Sequence, residues 1–418
     1  MLTLVANSSR HPVSDPQHRS RVNQASLREA NLSLVLQTIA AAEGPVSRAE
    51  VAVETALTRS TVSRLVDALV GGGMVNEVDR VTPTTPGRPA TPLVVSGGRY
   101  AALGLQVNVS SLAARIVDLR GVVVTEHLEF IDLVASDPAA TLARLGAIAA
   151  GVIASAPEHL IVVGAGLALP GIVSVEAGTV LRAPNLGWSD VRPAPHLALA
   201  LGGLSLTVGN EADLAALTIA EPTPGRHGAH RDFIYLSGEI GIGGAFVVGG
   251  SVMAGSHGWA AEIGHVCVDP SGPPCPCGSR GCLERYAGRQ AMLGNAGMPP
   301  TAATADLVAR QRAGDPAAMA SVNTAGQALG VALAGVINVL DIPIVVLGGH
   351  LSQIADLMRL PLEALLLTRV ISAQWVAPTV LTAAADPAPG ATGAALRELS
   401  VLLRNPSAWL DPATATGH

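Results

Sequence analysis

A winged helix-turn-helix domain followed by two α/β lobes is the architecture this sequence predicts. Three observations carry it. Three short helical periodicities and a pair of strand-like stretches fill the N-terminal part of the chain. After Gly97-Gly98 the pattern changes to alternating strand-like and helix-like runs that continue almost to the end. A total of 418 residues, 49% of them apolar, is enough for two or three separate cores.

The elements follow in order. Residues 1–24 are polar, rich in Ser, Pro, His and Arg, and lack a period, so a disordered tail is expected. Leu27, Leu34, Val35, Ile39 and Ala42 fit helical spacing. "GPVS" ends that helix, and Ser47 can cap the next one, RAEVAVETA. In "LTRSTVSRLVDALVGGG", Thr58 or Ser60 can cap a third helix whose apolar face is Val62, Leu65, Val66 and Leu69. Three glycines stop it. "MVNEVDRVTPTTPGRPATPLVVS" then reads as two short strands around a Pro/Gly/Arg tip. This places a winged helix-turn-helix at 25–96.

Strand-like runs at 101–107, 112–118 and 121–130, a helix near 137–155 and the buried strand LIVVGAGLAL open a first α/β lobe, 97–230. A second lobe, 231–405, follows with FIYLSG, AFVVGG, a long helix 316–340, the strand IPIVVLGG, a helix 352–369, PTVLTAAA and a helix 391–404. Residues 406–418 are expected to be a flexible end. No short-period repeat is visible.

Composition narrows the function classes. No apolar run reaches the length of a membrane span unbroken by Gly, Pro or charge. The first residues, MLTLVANSSRHPVSDPQHRSR, lack a signal peptide's basic start and apolar core, so a cytoplasmic protein without membrane association is expected. In that compartment structural disulfides are rare, and the cysteines read as thiolate ligands rather than bridges. The net charge of −6 is uneven. Residues 1–99 hold 10 Arg against 8 Asp/Glu, and residues 100–418 hold 16 against 24. The positive end is therefore the helix-turn-helix.

Such a domain lays its third helix in the major groove. Ser47 and Arg48 at the start of the second helix, Arg59, Ser60, Thr61, Ser63 and Arg64 on the third, and Arg88 at the wing tip are the candidate DNA-reading residues. Arg donates bidentately to guanine, Ser and Thr reach phosphate or base, and an Arg held extended by flanking prolines suits a narrow minor groove. A small protein-interaction module with a polar face is the competing reading.

All four cysteines lie in EIGHVCVDPSGPPCPCGSRGC, residues 262–282. Cys275, Cys277 and Cys282 follow C-x-C-x4-C, and His265 lies ten residues before Cys275. Three thiolates and an imidazole make a closed Cys₃His tetrahedron, a structural Zn²⁺ site with no position left for a catalytic water. Cys267 alternates with Val266 and Val268 and reads as a small buried core residue. A redox pair is the other use of such a cluster.

"HGWAAEIGHVCV…PPCPCGSRGCLERYA" resembles the signature of the ROK family of repressors, open reading frames and sugar kinases. The glycine-rich "YLSGEIGIGGAFVVGGSVMAG", the segments "ALPGIVSVEAGTVLRAPNLGW" and "VGNEADLAALTIAE", and the element "LGVALAGVINVLDIPIVVLGG" match the family in order. A winged helix followed by "GRPATPL" is similar to the start of the family's repressors. The resemblance spans about residues 25–400. It implies a two-lobed actin-like (ribonuclease-H-like) ATPase fold with a sugar in the cleft. Carried over by motif, the sugar contacts would be Asn185, Asn210, Glu211, Glu262, His265 and Glu284, with His265 shared between sugar and zinc.

Where the family's kinases open the first lobe with D-x-G-G-T, a turn that cradles ATP phosphates and helps to hold Mg²⁺, this chain has Gln106, Val107, Asn108 and Val109. Glu211 stands where the kinases carry an Asp base. The second glycine-rich turn, "GEIGIGGA", survives. The expectation is a regulator and not an enzyme: a sugar-responsive DNA-binding repressor released by a sugar or sugar phosphate, acting on operator DNA as a homodimer or homotetramer. A sugar kinase with a fused DNA-binding domain, and a sensor released by a partner protein, are the alternatives.

Overall fold

The structure, a computed structural model, describes residues 24–78 and 91–410. The expected tail, apart from Gln24, the wing tip with Arg88, and residues 411–418 lie outside the described residues.

The N-terminal domain consists of α1 (Gln24–Ala41), α2 (Arg48–Thr55), α3 (Arg59–Gly71) and an antiparallel pair, β1 (Val75–Glu77) with β2 (Leu93–Val95). Ser47 caps α2 in a capping box with Glu50, and Thr58 caps α3. The α3 face read from the sequence is the buried one. On α1 the buried face is Leu32, Val35, Leu36 and Ile39, while Leu27 and Leu34 are 52% and 43% exposed. The i, i+3, i+4, i+7 set that faces α2 and α3 is therefore turned away from the row that Leu27 and Leu34 start.

The first lobe has β3 (Tyr100–Asn108), β4 (Ser111–Asp118), β5 (Val123–Phe130), α4 (Pro138–Ser155) and β6 (Ile161–Leu169). It continues with the small sheet β7 (Ile172–Ser174), β8 (Thr179–Ala183) and β9 (Trp188–Val191), then α5 (Pro193–Leu201), β10 (Leu206–Asn210) and α6 (Glu211–Ala220). Its main sheet runs β10-β6-β3-β4-β5, with β3, β4 and β5 antiparallel and β6 and β10 parallel to β3.

The second lobe has β11 (Phe233–Gly238), β12 (Ile242–Val248), β13 (Ser251–Val252), α7 (Glu284–Ala287), α8 (Arg289–Asn295), α9 (Thr304–Arg312) and α10 (Pro316–Leu340). Then come β14 (Ile344–Gly348), α11 (Gly349–Arg369) and β15 (Thr379–Thr382), before α12 (Pro389–Arg404) and α13 (Ser407–Leu410) close the described chain. Its sheet, β13-β12-β11-β14-β15, repeats the first lobe's scheme: three antiparallel strands, then two parallel ones. The repeat lies in topology, not in residue identities, so it has no short sequence period. This is the two-lobed fold that the resemblance implied.

Two helices depart from the lobe boundaries expected at 97–230 and 231–405. The alanine face of α6 (Ala212, Ala215, Ala216, Ala220) packs on Phe233, Tyr235, Ala245 and Val247 of the second lobe's sheet. In return α12 lies on β3 and β6 of the first lobe. The approach is close: a Cβ on Gly104 would stand 1.8 Å from Ala391 O, and one on Gly393 1.7 Å from Leu214 O. An apolar stripe says that a helix is buried, not which sheet buries it.

The C-terminal end is the second correction. Residues 406–410 are packed rather than flexible. Tyr100 Oη donates to Trp409 O at 2.9 Å, and the two rings meet edge to face, 6.4 Å between centroids. Leu396, Leu399, Leu402 and Leu403 of α12 share one apolar core with Leu32, Leu36, Val62, Val66 and Leu69 of the helix-turn-helix, and Ser33 Oγ donates to Leu403 O at 3.0 Å. The N-terminal domain is thus joined to the first lobe by a continuous core.

Although broken by Gly or Pro in sequence, α4 and α10 are long and apolar enough to cross a membrane by length and composition. Leu142, Leu145, Ala149 and Val152 of α4 lie in the first lobe's core. Ala325, Leu329, Ala332, Leu333 and Ile337 of α10 lie in that of the second.

Candidate functional site

A cleft between the lobes gathers all six residues assigned to sugar contact. Asn185, Asn210 and Glu211 line it from the first lobe, and Glu262, His265 and Glu284 from the second. Asn185 sits in the turn between β8 and β9. Asn210 and Glu211 sit where β10 passes into α6. Asn210 is largely occupied by the fold: its Oδ1 accepts from Ala212 N and Asp213 N, and its Nδ2 donates to Gly171 O. Glu262 follows Ala261, a buried residue held at φ 68°. An alanine in this left-handed region costs roughly 1–2 kcal/mol, strain of the kind found where a neighbouring side chain must be aimed.

The first turn of the lobe is built in a way that sequence reading missed. Gln106 and Asn108, 2% and 4% exposed, both donate to Glu211 Oε1, at 2.8 and 2.5 Å. Gln106 Oε1 in turn accepts from Ala391 N, in the first turn of α12, at 3.0 Å. The Gln106 and Asn108 amides therefore hold the cleft's carboxylate, and Gln106 ties it to α12. Burial pushes Glu211 up to about 8; the Asn108 hydrogen bond opposes this and the Glu239 carboxylate adds to it. Burial also raises Glu262, opposed by His265 and assisted by Glu284. Glu239, in the glycine-rich turn "GEIGIGGA" between β11 and β12, lines the cleft as well and was missed by the sequence reading.

Arg397 on α12 makes a second link. Its Nη2 donates to Thr207 Oγ1 at 2.6 Å and its Nη1 to Val208 O at 3.1 Å, on the strand that delivers Asn210 and Glu211. Glu398 accepts from Thr207 at 2.5 Å.

One ligand atom from each of His265, Cys275, Cys277 and Cys282 lies within 4.8 Å of the other three. Cys277 Sγ and Cys282 Sγ are 3.7 Å apart, and Cys275 Sγ and His265 Nδ1 are 3.8 Å apart. Zinc–sulfur bonds of about 2.3 Å at tetrahedral angles put sulfurs about 3.8 Å apart, so the donor set fits one metal ion. Tight turns make this possible: Gly278 N bonds Cys275 O, and Gly281, at φ 66°, lies where a Cβ would meet Asp269 O at 1.7 Å. The imidazole faces two ways. Nδ1 points to the Cys275 sulfur, while Nε2 lies 4.0 Å from Glu262 Oε2. Cys275 Sγ also lies 2.8 Å from Glu284 Oε1. Cys267 is exposed, not a core residue as its alternation suggested; its backbone bridges to Cys282, and Val268 is the neighbour that packs inward.

On the helix-turn-helix, Arg59, Ser60 and Arg64 are exposed and Thr61 and Ser63 half-buried, all on α3. Ser47 and Arg48 are engaged within the domain. Ser47 caps α2, and Arg48 pairs with Asp67 at 2.7 Å and Glu77 at 2.6 Å.

Comparison with known proteins agrees with this division. The ROK family model matches residues 103–398, and the IclR helix-turn-helix domain model matches residues 31–79. The chain is 29% identical over 368 residues to the "Putative xylose repressor" of Caldicellulosiruptor sp. (strain Rt8B.4), covering 84% of this chain and 91% of that one. It is 28% identical over 292 residues to the glucokinase of Streptomyces coelicolor, covering 65% and 89%. Among solved structures, a ROK family transcriptional regulator described as a homologue of the E. coli MLC protein superposes with a TM-score of 0.71 at 23% identity, over 90% of this chain and 98% of that one. With a helix-turn-helix ahead of a matched region that covers most of the two lobes, the chain belongs to the ROK family.

Proposed function

We propose that this protein is a sugar-responsive transcriptional repressor that binds operator DNA through α3 and releases it when a sugar enters the interlobe cleft. The observation that carries the reading is the convergence of Asn185, Asn210, Glu211, Glu262, His265 and Glu284 on one cleft, in a chain whose DNA-reading domain shares a core with α12. Carboxylates and amides are the groups that pair with sugar hydroxyls, and a recessed set of them penalises any ligand that leaves one unmatched.

The release mechanism follows from α12. Its first turn is bonded through Gln106 to Glu211, its middle through Arg397 to the strand before Asn210, and its end is packed into the helix-turn-helix. A sugar that draws Glu262 and His265 toward Asn210 and Glu211 closes the lobes on each other. Closure then moves α12, and with it α3. Two copies reading two half-sites make that movement a change in spacing, so the working unit is a homo-oligomer. Catalysis is not part of this reading. Gln106 and Asn108 spend their amides on Glu211, and Val109 fills the turn where phosphates would need bare backbone. A coupled ADP-release assay over a sugar panel tests this point: no turnover is expected, and turnover would restore the kinase reading.

Zn²⁺ held by Cys275, Cys277, Cys282 and His265 Nδ1 would fix the loop and the imidazole, leaving Nε2 for a sugar hydroxyl. About one zinc per chain is expected on elemental analysis. Cys277→Ser should lose both the metal and sugar binding, and a metal-free protein with normal sugar affinity would contradict the assignment. For the DNA face, Arg59→Ala or Arg64→Ala should each cost about 1–3 kcal/mol of operator affinity where the side chain reads a base. Fluorescence anisotropy with operator DNA checks this; unchanged affinity in both would move the reading surface elsewhere.

A further inference from the structure

We infer that the cleft is selective for neutral sugars and rejects phosphorylated ones, with Glu239 as a specificity-determining residue. This inference rests on the sugar-cleft reading above and narrows its ligand class. Two independent features of the cleft support it.

The first is its charge. Among the described residues that line the cleft there are four carboxyl side chains, Glu211, Glu239, Glu262 and Glu284, and neither Arg nor Lys. Glu239 stands at the glycine-rich turn between β11 and β12, on the wall opposite Glu211, and the two act on each other electrostatically. Arg289 and Arg397 act on Glu239 and Asp213, but neither lines the cleft. Arg289 Nη1 donates to Ala302 O at 3.3 Å, and Arg397 is bonded to Thr207 and Val208. A zinc ion with three thiolates would add a net charge of about −1 and no cation for a phosphate to approach. Ionised, each carboxyl repels a phosphate; protonated, it still serves a sugar hydroxyl as donor and acceptor.

The second feature is the fate of the backbone amides. Phosphates are held by free N–H groups at turns and helix N-termini. Here four of those donors are engaged by the protein itself. Ser110 N donates to Asn108 Oδ1 at 3.2 Å, in the first turn. Ala212 N and Asp213 N, at the start of α6, donate to Asn210 Oδ1 at 2.7 and 3.2 Å. Glu239 N donates to Gly241 O at 2.9 Å, in the second turn. Glu211 and Asp213 further place acids in the first turn of α6, where an anion would otherwise be drawn by the helix dipole. The cleft thus offers hydroxyl partners at each wall, while these turn and helix-start amides are already spent on the protein and no Arg or Lys lines it.

The test is calorimetric titration of the full-length protein with matched pairs: xylose and xylose 5-phosphate, glucose and glucose 6-phosphate, N-acetylglucosamine and its 6-phosphate. For each free sugar that binds, the phosphate is expected to bind at least ~30-fold more weakly, and Glu239→Gln is expected to shrink that ratio several-fold. A phosphate that binds as tightly as its parent sugar, or a ratio untouched by Glu239→Gln, overturns the inference while leaving the sugar reading standing. Binding of no member of any pair overturns the sugar reading itself.

Discussion

Glu262→Ala is expected to give a repressor that no sugar releases. Glu262 lines the cleft beside His265 and Glu284, on a loop whose geometry is held by a left-handed Ala261. Among the described residues its side chain bonds neither to α12 nor to the helix-turn-helix, both of which lie across the cleft with the first lobe. A hydrogen bond donated by a ligand hydroxyl to a charged group is worth about 1.5–3 kcal/mol, and a carboxylate that accepts from two hydroxyls loses both on truncation. Sugar affinity should therefore fall by roughly 100-fold or more, with operator affinity unchanged. Calorimetry with sugar and anisotropy with operator DNA check the two halves separately. Wild-type sugar affinity in the variant would displace Glu262 from the site, and a parallel loss of operator affinity would make its role structural.

The second large effect is expected at Gln106. Its side chain joins Glu211 to the first turn of α12: Nε2 donates to Glu211 Oε1, and Oε1 accepts from Ala391 N. Gln106→Leu keeps the volume and removes both bonds. Asn108 still donates to Glu211, so the cleft keeps one of its two amide supports. The expected result is a protein that binds operator normally, binds sugar with modest loss, and no longer lets one ligand affect the other. Allosteric coupling is commonly about 1–3 kcal/mol, or about 5–150-fold. In this variant the factor should approach one. Retained coupling would mean that closure reaches α3 by another route, such as Arg397 and Thr207.

Much of this was legible in the sequence, and what was not has a physical reason. The α3 face, the long helix 316–340 and the strand LIVVGAGLAL were readable because burial follows period, and a run bounded by Pro, Gly or a capping residue announces its ends. The cysteine and histidine spacing pointed to four donors that the fold does bring together. Pairing across the fold was not readable. Nothing in "QVNVS" says that Gln106 and Asn108 meet a glutamate more than a hundred residues on, and nothing in the pattern of α6 and α12 says that each packs on the other lobe's sheet. Cys267 was misplaced for a related reason: alternation in a loop has no sheet to give it an inside. The C-terminal Ser407–Leu410 looked like a free end because its partners, Tyr100 and Gly72, are far away in the chain.

The central claim is that sugar and operator are linked through α12, and linkage is reciprocal: each ligand must weaken the other by the same factor. The most direct measurement is a pair of titrations on wild-type protein, sugar with and without saturating operator DNA, and operator DNA with and without saturating sugar. The account predicts equal factors, both of about 5–150-fold and both in the weakening direction. Sugar that binds equally well with and without operator would contradict it.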